Sequence, residues 1–441
     1  MGYCLLKLIN RDVGFISYLC ALIITQGHPE CPVKTYKMQN KPKLIGRNYL
    51  LPFILITSLF FMWGFARAIL DVLNKHFQES LSISIVHSTM IQATTYVAYA
   101  LMALPAGIFI TRYGYRRGVV LGLLFFGLGA LAFIPGDMTG SFGVFLAALF
   151  VIGCGLAVLE TAANPYAAEL GDPATAASRL NLAQSFNGLG CILGPVLVGG
   201  FLFSGDGESS VALPYSIMGV VVLTVALIFT RVKLPEIRGG EQEAGGAEHG
   251  SVAASIRTLW SSRRFSLGVF ALFCYEIAEI AINSLFINYV TDDGWMDKMT
   301  ATWVLSFGAL GLFMVARVAG SAVMKYIQAE KVLTFCAVMT VLGASLVALD
   351  LGSISHGAIF VCYAFEAIMF PTIFAITING WGQSTKIASS FLMMTPLGGA
   401  VGTALMGWIA GLTSMSTAFA VPALAYCAVL AYGYLALKKK L

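Results

Sequence analysis

Long apolar runs constrain this chain more than any other feature. Residues 144–159, VFLAALFVIGCGLAVL, hold no charge at all, and comparable runs recur along the whole chain. A helix needs about 20 predominantly apolar residues to cross a bilayer. Twelve segments meet that need: 50–73, 85–111, 118–136, 142–167, 180–204, 212–231, 266–290, 301–324, 332–350, 355–380, 387–411 and 416–437. The first continues to about residue 78 as a polar-ended helix. Inside hydrocarbon every backbone polar group must be satisfied internally, which leaves only helices and closed barrels. A barrel alternates apolar and polar residues in short segments, and these runs do not. The fold class is therefore an all-α polytopic membrane protein with twelve transmembrane helices.

Composition agrees. The 441 residues are 58% hydrophobic and 11% charged, against roughly 25% charged in soluble domains. The nine cysteines are odd in number and six fall inside spans, as small packing residues rather than a disulfide framework. None of the five histidines pairs with another at metal-ligand spacing, so no metal or other cofactor is expected.

Positive charge sets orientation. With both termini and the even-to-odd loops on one side, that side receives 23 of the 27 lysines and arginines. Both termini are thus expected in the cytoplasm, in a multi-pass protein of the cell (cytoplasmic/inner) membrane. The net charge of +5 follows this topology and does not point to nucleic acid. A hydrophilic stretch, 232–264, contains GGEQEAGGAEHG and separates the spans into two sets of six. The expected organisation is a cytoplasmic segment 1–48, a six-helix bundle 49–231, a cytoplasmic linker 232–264, a second bundle 265–437 and a tail 438–441. The apolar run 13–25 is too short to span, and no small-residue cleavage site follows it. Met38 precedes a basic segment and the first span and reads as a second candidate start, which would leave 1–37 outside the natural protein.

The two sets of spans look duplicated. Gly107 precedes Arg112 and Tyr113 as Gly320 precedes Lys325 and Tyr326; Glu160 precedes Pro165 as Glu366 precedes Pro371; Gly190 and Gly194 match Gly398 and Gly402. The offsets are 213, 206 and 208 residues. Two parallel repeats of six spans are a transporter architecture with its site at the repeat interface.

Charges within the spans mark that site. They are Asp71, Glu160, Glu276, Glu279 and Glu366, against Arg67 and Arg317. A carboxylate at membrane depth costs a few kcal/mol on insertion scales and is a functional-site hypothesis by default. Desolvation disfavours the charged form of any carboxyl. A carboxyl that titrates with access to either side is a proton-coupling element. Glu160 heads this group, with the amide face Asn181, Gln184 and Asn187 in the next span. Further hydrogen-bonding candidates are Gln92 in the first half and Tyr275, Glu279, Asn283 and Asn379 in the second. Glu279 and Asn283 are spaced i, i+4 on one helix face. Trp63, Tyr96, Tyr99 and Trp381 are either ring platforms for a solute or packing residues. Asn181 reads equally as a helix N-cap. Arg317 reads as a pin for helix ends or, less readily, as a solute contact. Arg67 lies four residues before Asp71, so that pair reads either as structural or as part of the coupling machinery.

At this point the motifs FFMWGFARAILDVLNKHFQ (60–78), IQATTYVAYALMALPAG (91–107), LETAANPYAAELG (159–171), RLNLAQSFNGLG (179–190), FCYEIAEIAINSLFINYV (273–290) and FPTIFAITINGWGQ (370–383) carry a resemblance. The chain resembles the major facilitator superfamily, and within it the fucose–proton symporter and glucose/galactose transporter family, over about residues 48–437. In the loop 107–117, Thr111 replaces the acidic residue usual in the superfamily. The resemblance implies two pseudo-symmetric six-helix bundles. It implies that Glu160 titrates with transport and that Asp71 helps bind sugar or protons, although Arg67 departs from the amide the symporter carries nearby. The segment AEIAINS is more similar to the hexose-transporting members.

The expected function is secondary active import of a monosaccharide (hexose, fucose-like or amino sugar), coupled to protons, by alternating access of a monomer in the lipid bilayer. The alternative is a major facilitator efflux carrier for a drug or other amphiphile. Its sites are broader and more apolar, and Gln184, Asn187, Glu279 and Asn283 argue against it. An enzyme is not expected: no nucleophile–base pair is visible, and the linker is too small for a catalytic domain.

Overall fold

The structure is a computed structural model, and it describes residues 44–80, 90–203, 212–232, 235, 252–292 and 294–440. The N-terminal segment expected at 1–48, with its short apolar run and Met38, lies almost wholly outside these residues, as does most of the linker.

Twelve long helical elements follow in chain order: α1 Leu50–Ser80, α2 Met90–Tyr113, α3 Tyr115–Thr139, α4 Phe142–Glu169, α5 Ala176–Phe203, α6 Ala212–Arg231, α7 Arg263–Asp292, α8 Val304–Val323, α9 Ala329–Ala348, α10 Ser353–Ile378, α11 Thr385–Leu412 and α12 Met415–Leu437. Eleven of them, all but α5, contain stretches long and apolar enough to cross a membrane among the described residues. The 28-residue α5 completes the twelve. Every expected span is matched by a helix, with ends displaced by a few residues. The linker is not uniformly irregular: Val252–Ser261 forms a short amphipathic helix that buries Leu259. Its Trp260 stands edge-on to Phe265 of α7 and Phe391 of α11.

Packing repeats between the halves. α1 crosses α5 and α7 crosses α11, both through glycine. A Cβ on Gly64 would overlap the Asn187 carbonyl, and one on Gly190 would overlap that of Phe61. At the equivalent crossing a Cβ on Gly402 would overlap the Ile277 carbonyl. Without a hydrophobic force between helices in lipid, such backbone approach is a main source of association. Gly64→Ala should therefore cost about 1–3 kcal/mol through overpacking. A thermal unfolding scan of the detergent-solubilised protein should show a clear drop in Tm, and an unchanged Tm would contradict this crossing.

The basic loops meet at one end of the bundle. Arg116 donates to the carbonyls of Phe229 and Thr230 at the end of α6. Arg179 donates to those of Ala167, Ala168 and Asp172, satisfying the C-terminus of α4. The Lys386 ammonium lies 4.7 Å from the Tyr115 ring, and Arg264 donates to the Asn379 carbonyl. At this basic end the two halves touch. Ser178 Oγ donates to the Ser321 carbonyl at 2.5 Å and Ser321 Oγ returns a bond to the Ser178 carbonyl at 2.7 Å, joining α5 to α8. Gly107 of α2 faces Ser390 of α11 with no room for a Cβ.

Candidate functional site

The site grows from a proline rule. Proline has no N–H, so the carbonyl four residues earlier loses its helical partner. In α4, Pro165 frees the Thr161 carbonyl, and Ser389 Oγ from α11 donates to it at 3.0 Å. In α10, Pro371 frees the Ala367 carbonyl, and Arg317 Nε from α8 donates to it at 2.7 Å. Each freed carbonyl belongs to the residue after a buried glutamate, Glu160 or Glu366. The duplicated Glu-to-Pro spacing thus opens one backbone acceptor beside each acid. α10 is interrupted there, its first segment ending at Glu366 and its second starting at Met369.

Each acid also meets a tyrosine. Glu160 is 4% exposed. Its carboxyl is hydrogen-bonded to the Tyr99 hydroxyl of α2, which in turn accepts from Trp63 Nε1 of α1. Glu366 is 0% exposed, and the Tyr426 hydroxyl of α12 donates to its Oε2. Arg67 and Arg317 both act electrostatically on Glu160 and Glu276. Arg67 also interacts with Tyr96 and Glu279.

Amides also join the halves. Gln184 Nε2 donates to Asn164 Oδ1 at 2.9 Å, and Asn164 Nδ2 reaches Met393 Sδ of α11 at 3.3 Å. Arg317 Nη1 donates to the Gln184 carbonyl at 3.3 Å, with the Phe313 ring 4.5 Å from its guanidinium. Asn181 is not a helix N-cap, because α5 begins five residues earlier; its Nδ2 donates to Thr372 Oγ1 of α10 at 3.1 Å and to the Ala177 carbonyl. Asn187 is buried and its Nδ2 has no partner. On α7, Asn283 Nδ2 donates to Glu279 Oε1 at 2.9 Å, while Asn283 Oδ1 has no partner. Tyr275, on the same helix, interacts with Glu276, Glu279, Glu366 and Arg317.

Glu160, Gln184, Tyr275 and Glu279 are thereby linked through shared partners, and Asn187 and Asn283 each carry an unused polar atom on the same helices. Asn379 is not with them: it is exposed at the basic end, where α10 closes. Trp381 is likewise at that end, with its ring under Arg264 and its Nε1 on the Thr377 carbonyl. The side chains of Asp71 and Gln92 lie outside the described part of the structure, so the Arg67–Asp71 pairing does too. Arg317 does not sit on the cytoplasmic ends of its neighbours; it holds the Ala367 carbonyl at the break within α10 and the Gln184 carbonyl inside the bundle. Asn164, Thr372 and Tyr426 escaped the sequence reading. Asn164 lies within the ETAANP motif and could have been found there, whereas Tyr426 gives no signal in its apolar helix.

Among the described residues this centre holds Glu160, Glu276, Glu279 and Glu366 against Arg67 and Arg317. The excess of carboxyls suits exchange of a small cation, and the unused amide atoms suit a hydroxylated solute.

Comparison with known proteins defines the class. Residues 54–394 match the Major Facilitator Superfamily, and the chain belongs to it. It is 33% identical over 402 residues to the glucose/galactose transporter of Brucella abortus biovar 1 (strain 9-941), covering 89% of this chain and 95% of that protein. It is 31% identical over 428 residues to the L-fucose-proton symporter of Escherichia coli (strain K12), covering 91% and 97%. The crystal structure of the major facilitator transporter FucP in the outward conformation matches with a TM-score of 0.81 and 32% identity, covering 88% of this chain and 99% of that one. The proton:xylose symporter XylE, at 13% identity and a TM-score of 0.66, shares the fold.

Proposed function

We propose that this protein imports a monosaccharide, coupled to protons, by rocking its two six-helix halves about the central site. The observation that carries the reading is that Glu160, paired with Tyr99, shares α4 with Asn164 of the Gln184–Asn164 hydrogen bond and shares Arg317 with Gln184. A titratable carboxyl thus borders the groups that would bind sugar hydroxyls. Relatives that span nearly the full chain are a glucose/galactose transporter and an L-fucose-proton symporter, which supports a hexose-sized substrate and H+ as the coupling ion.

The basic end is cytoplasmic under the positive-inside rule, with both termini there. The closed contact between the halves at the basic end supports an outward-facing state. Thr161, Asn164, Ser178 and Ser389 toward the basic end are enclosed, while Arg67, Glu279 and Asn283 remain partly accessible. Asp71, late in α1, is kept as an auxiliary proton or sugar group of the outer half, and Gln92 as a candidate sugar contact. Sugar enters from outside, bonds to Asn187, Gln184, Asn283 and Glu279, and protonation of Glu160 permits closure.

Counterflow in proteoliposomes with D-glucose, D-galactose and L-fucose tests the substrate class. At least one should exchange, and failure of all three would overturn the reading. Glu279→Ala should raise the apparent KM for the accepted sugar at least about tenfold, the effect of losing a charge-assisted hydrogen bond of about 1.5–3 kcal/mol. An unchanged KM would remove Glu279 from the site.

A further inference from the structure

Glu160 accounts for one coupled proton, and Glu366 is left without a task. Glu366 is wholly enclosed, yet only its Oε2 is bonded, to the Tyr426 hydroxyl; Oε1 has no partner. An unmet buried acceptor is costly, about 1–3 kcal/mol and more for a charged group. Its presence at an interrupted helix suggests that the oxygen is used in another state of the cycle.

Arg317 supplies that state. One edge of its guanidinium is held by the Ala367 carbonyl in its own half, and the other reaches the Gln184 carbonyl in the opposite half. The Gln184 bond belongs to the same α5–α8 seam as the Ser178–Ser321 pair. Opening the basic end must break this seam and release that edge of Arg317. The groups facing Glu366 are then Tyr275 and Glu279 on α7, Arg317 on α8 and Tyr426 on α12, with Tyr363 and Cys362 on its own helix. From α9, the Thr340 carbonyl meets Cys362. Arg317 is the one cation among them.

We propose that Glu366 is a second proton-carrying carboxyl, protonated on Oε1 while the basic end is closed and discharged when that end opens and Arg317 leaves Gln184. On discharge the O–H bond at Oε1 breaks, the proton passes to water entering from the basic end, and its electron pair stays on the carboxylate, which Arg317 neutralises. After the basic end recloses, Oε1 takes up a proton from water on the opposite side and Arg317 returns to Gln184, completing the cycle with no change of oxidation state. This extends the proton-coupled reading above.

Infrared titration of the purified full-length protein without sugar reads protonated carboxyls directly. Glu366→Gln should remove one carboxyl band that titrates with pH, distinct from the band lost in Glu160→Gln. Tyr426→Phe should keep the Glu366 band but move its midpoint. A disulfide between Ser178→Cys and Ser321→Cys should stop the Glu366 band from titrating until it is reduced. A band that never titrates, or one that titrates equally with the seam locked and open, would overturn the proposal. In proteoliposomes supplied with D-glucose, D-galactose or L-fucose, Glu366→Gln should lower the protons moved per sugar about twofold. A wild type that moves none of these sugars would refute the substrate reading, while the infrared titration still decides the role of Glu366.

Discussion

Glu160→Gln should abolish sugar accumulation driven by a pH gradient while leaving sugar exchange intact. Glutamine keeps the size of the side chain and a bond to Tyr99 but has no proton to give up. It therefore imitates the protonated carrier permanently, and both the loaded and the empty forms can rock. Each unit of pH difference is worth about 1.4 kcal/mol per coupled proton, about tenfold in accumulation. The variant should lose this gain entirely, because a carrier that returns empty without restraint dissipates any gradient, including one supplied through Glu366. The measurement is uptake and counterflow side by side. Wild-type accumulation by the variant would refute the role of Glu160.

Arg317→Ala should reduce transport at least about 100-fold. The substitution strands the Ala367 and Gln184 carbonyls, each at a cost of about 1–3 kcal/mol, and leaves Arg67 as the remaining guanidinium among Glu160, Glu276, Glu279 and Glu366. Arg317→Lys should recover part of the activity, since lysine restores the charge but lacks the fork that reaches two carbonyls at once. Counterflow rates of the two variants, compared with their Tm values, separate the transport defect from simple unfolding. Counterflow at the wild-type rate in Arg317→Ala would show that the bridge between α8, α10 and α5 is dispensable.

Much of this architecture was legible in the sequence. The helices follow from apolar length alone, and the repeat is visible because Glu160/Pro165 and Glu366/Pro371 keep their spacing. The structure adds the reason: each proline frees the carbonyl beside the acid, and a side chain from another helix takes it. Partners remote in sequence were less legible. Tyr99 and Tyr426 look like any aromatic residue in an apolar helix until their hydroxyls are placed on Glu160 and Glu366. Arg317 lies near the end of α8, which suggested a helix-end role, but its long side chain carries the charge inward. Asn379 has the right chemistry for a sugar site and the wrong position, since α10 ends just before it. The helix Val252–Ser261 is too short to stand out within a polar linker; it is held by Trp260 and Leu259 packing on the bundle.

Simultaneous measurement of sugar entry and proton entry tests the central claim most directly. Purified wild-type protein would be sealed in liposomes with a trapped pH dye and given D-glucose, D-galactose or L-fucose outside, with no imposed pH difference. The account predicts that an accepted sugar acidifies the lumen as it enters, and that Glu160→Gln admits the sugar with fewer protons per sugar, only those carried through Glu366 remaining. Sugar entry in the wild type with no accompanying proton movement would contradict it.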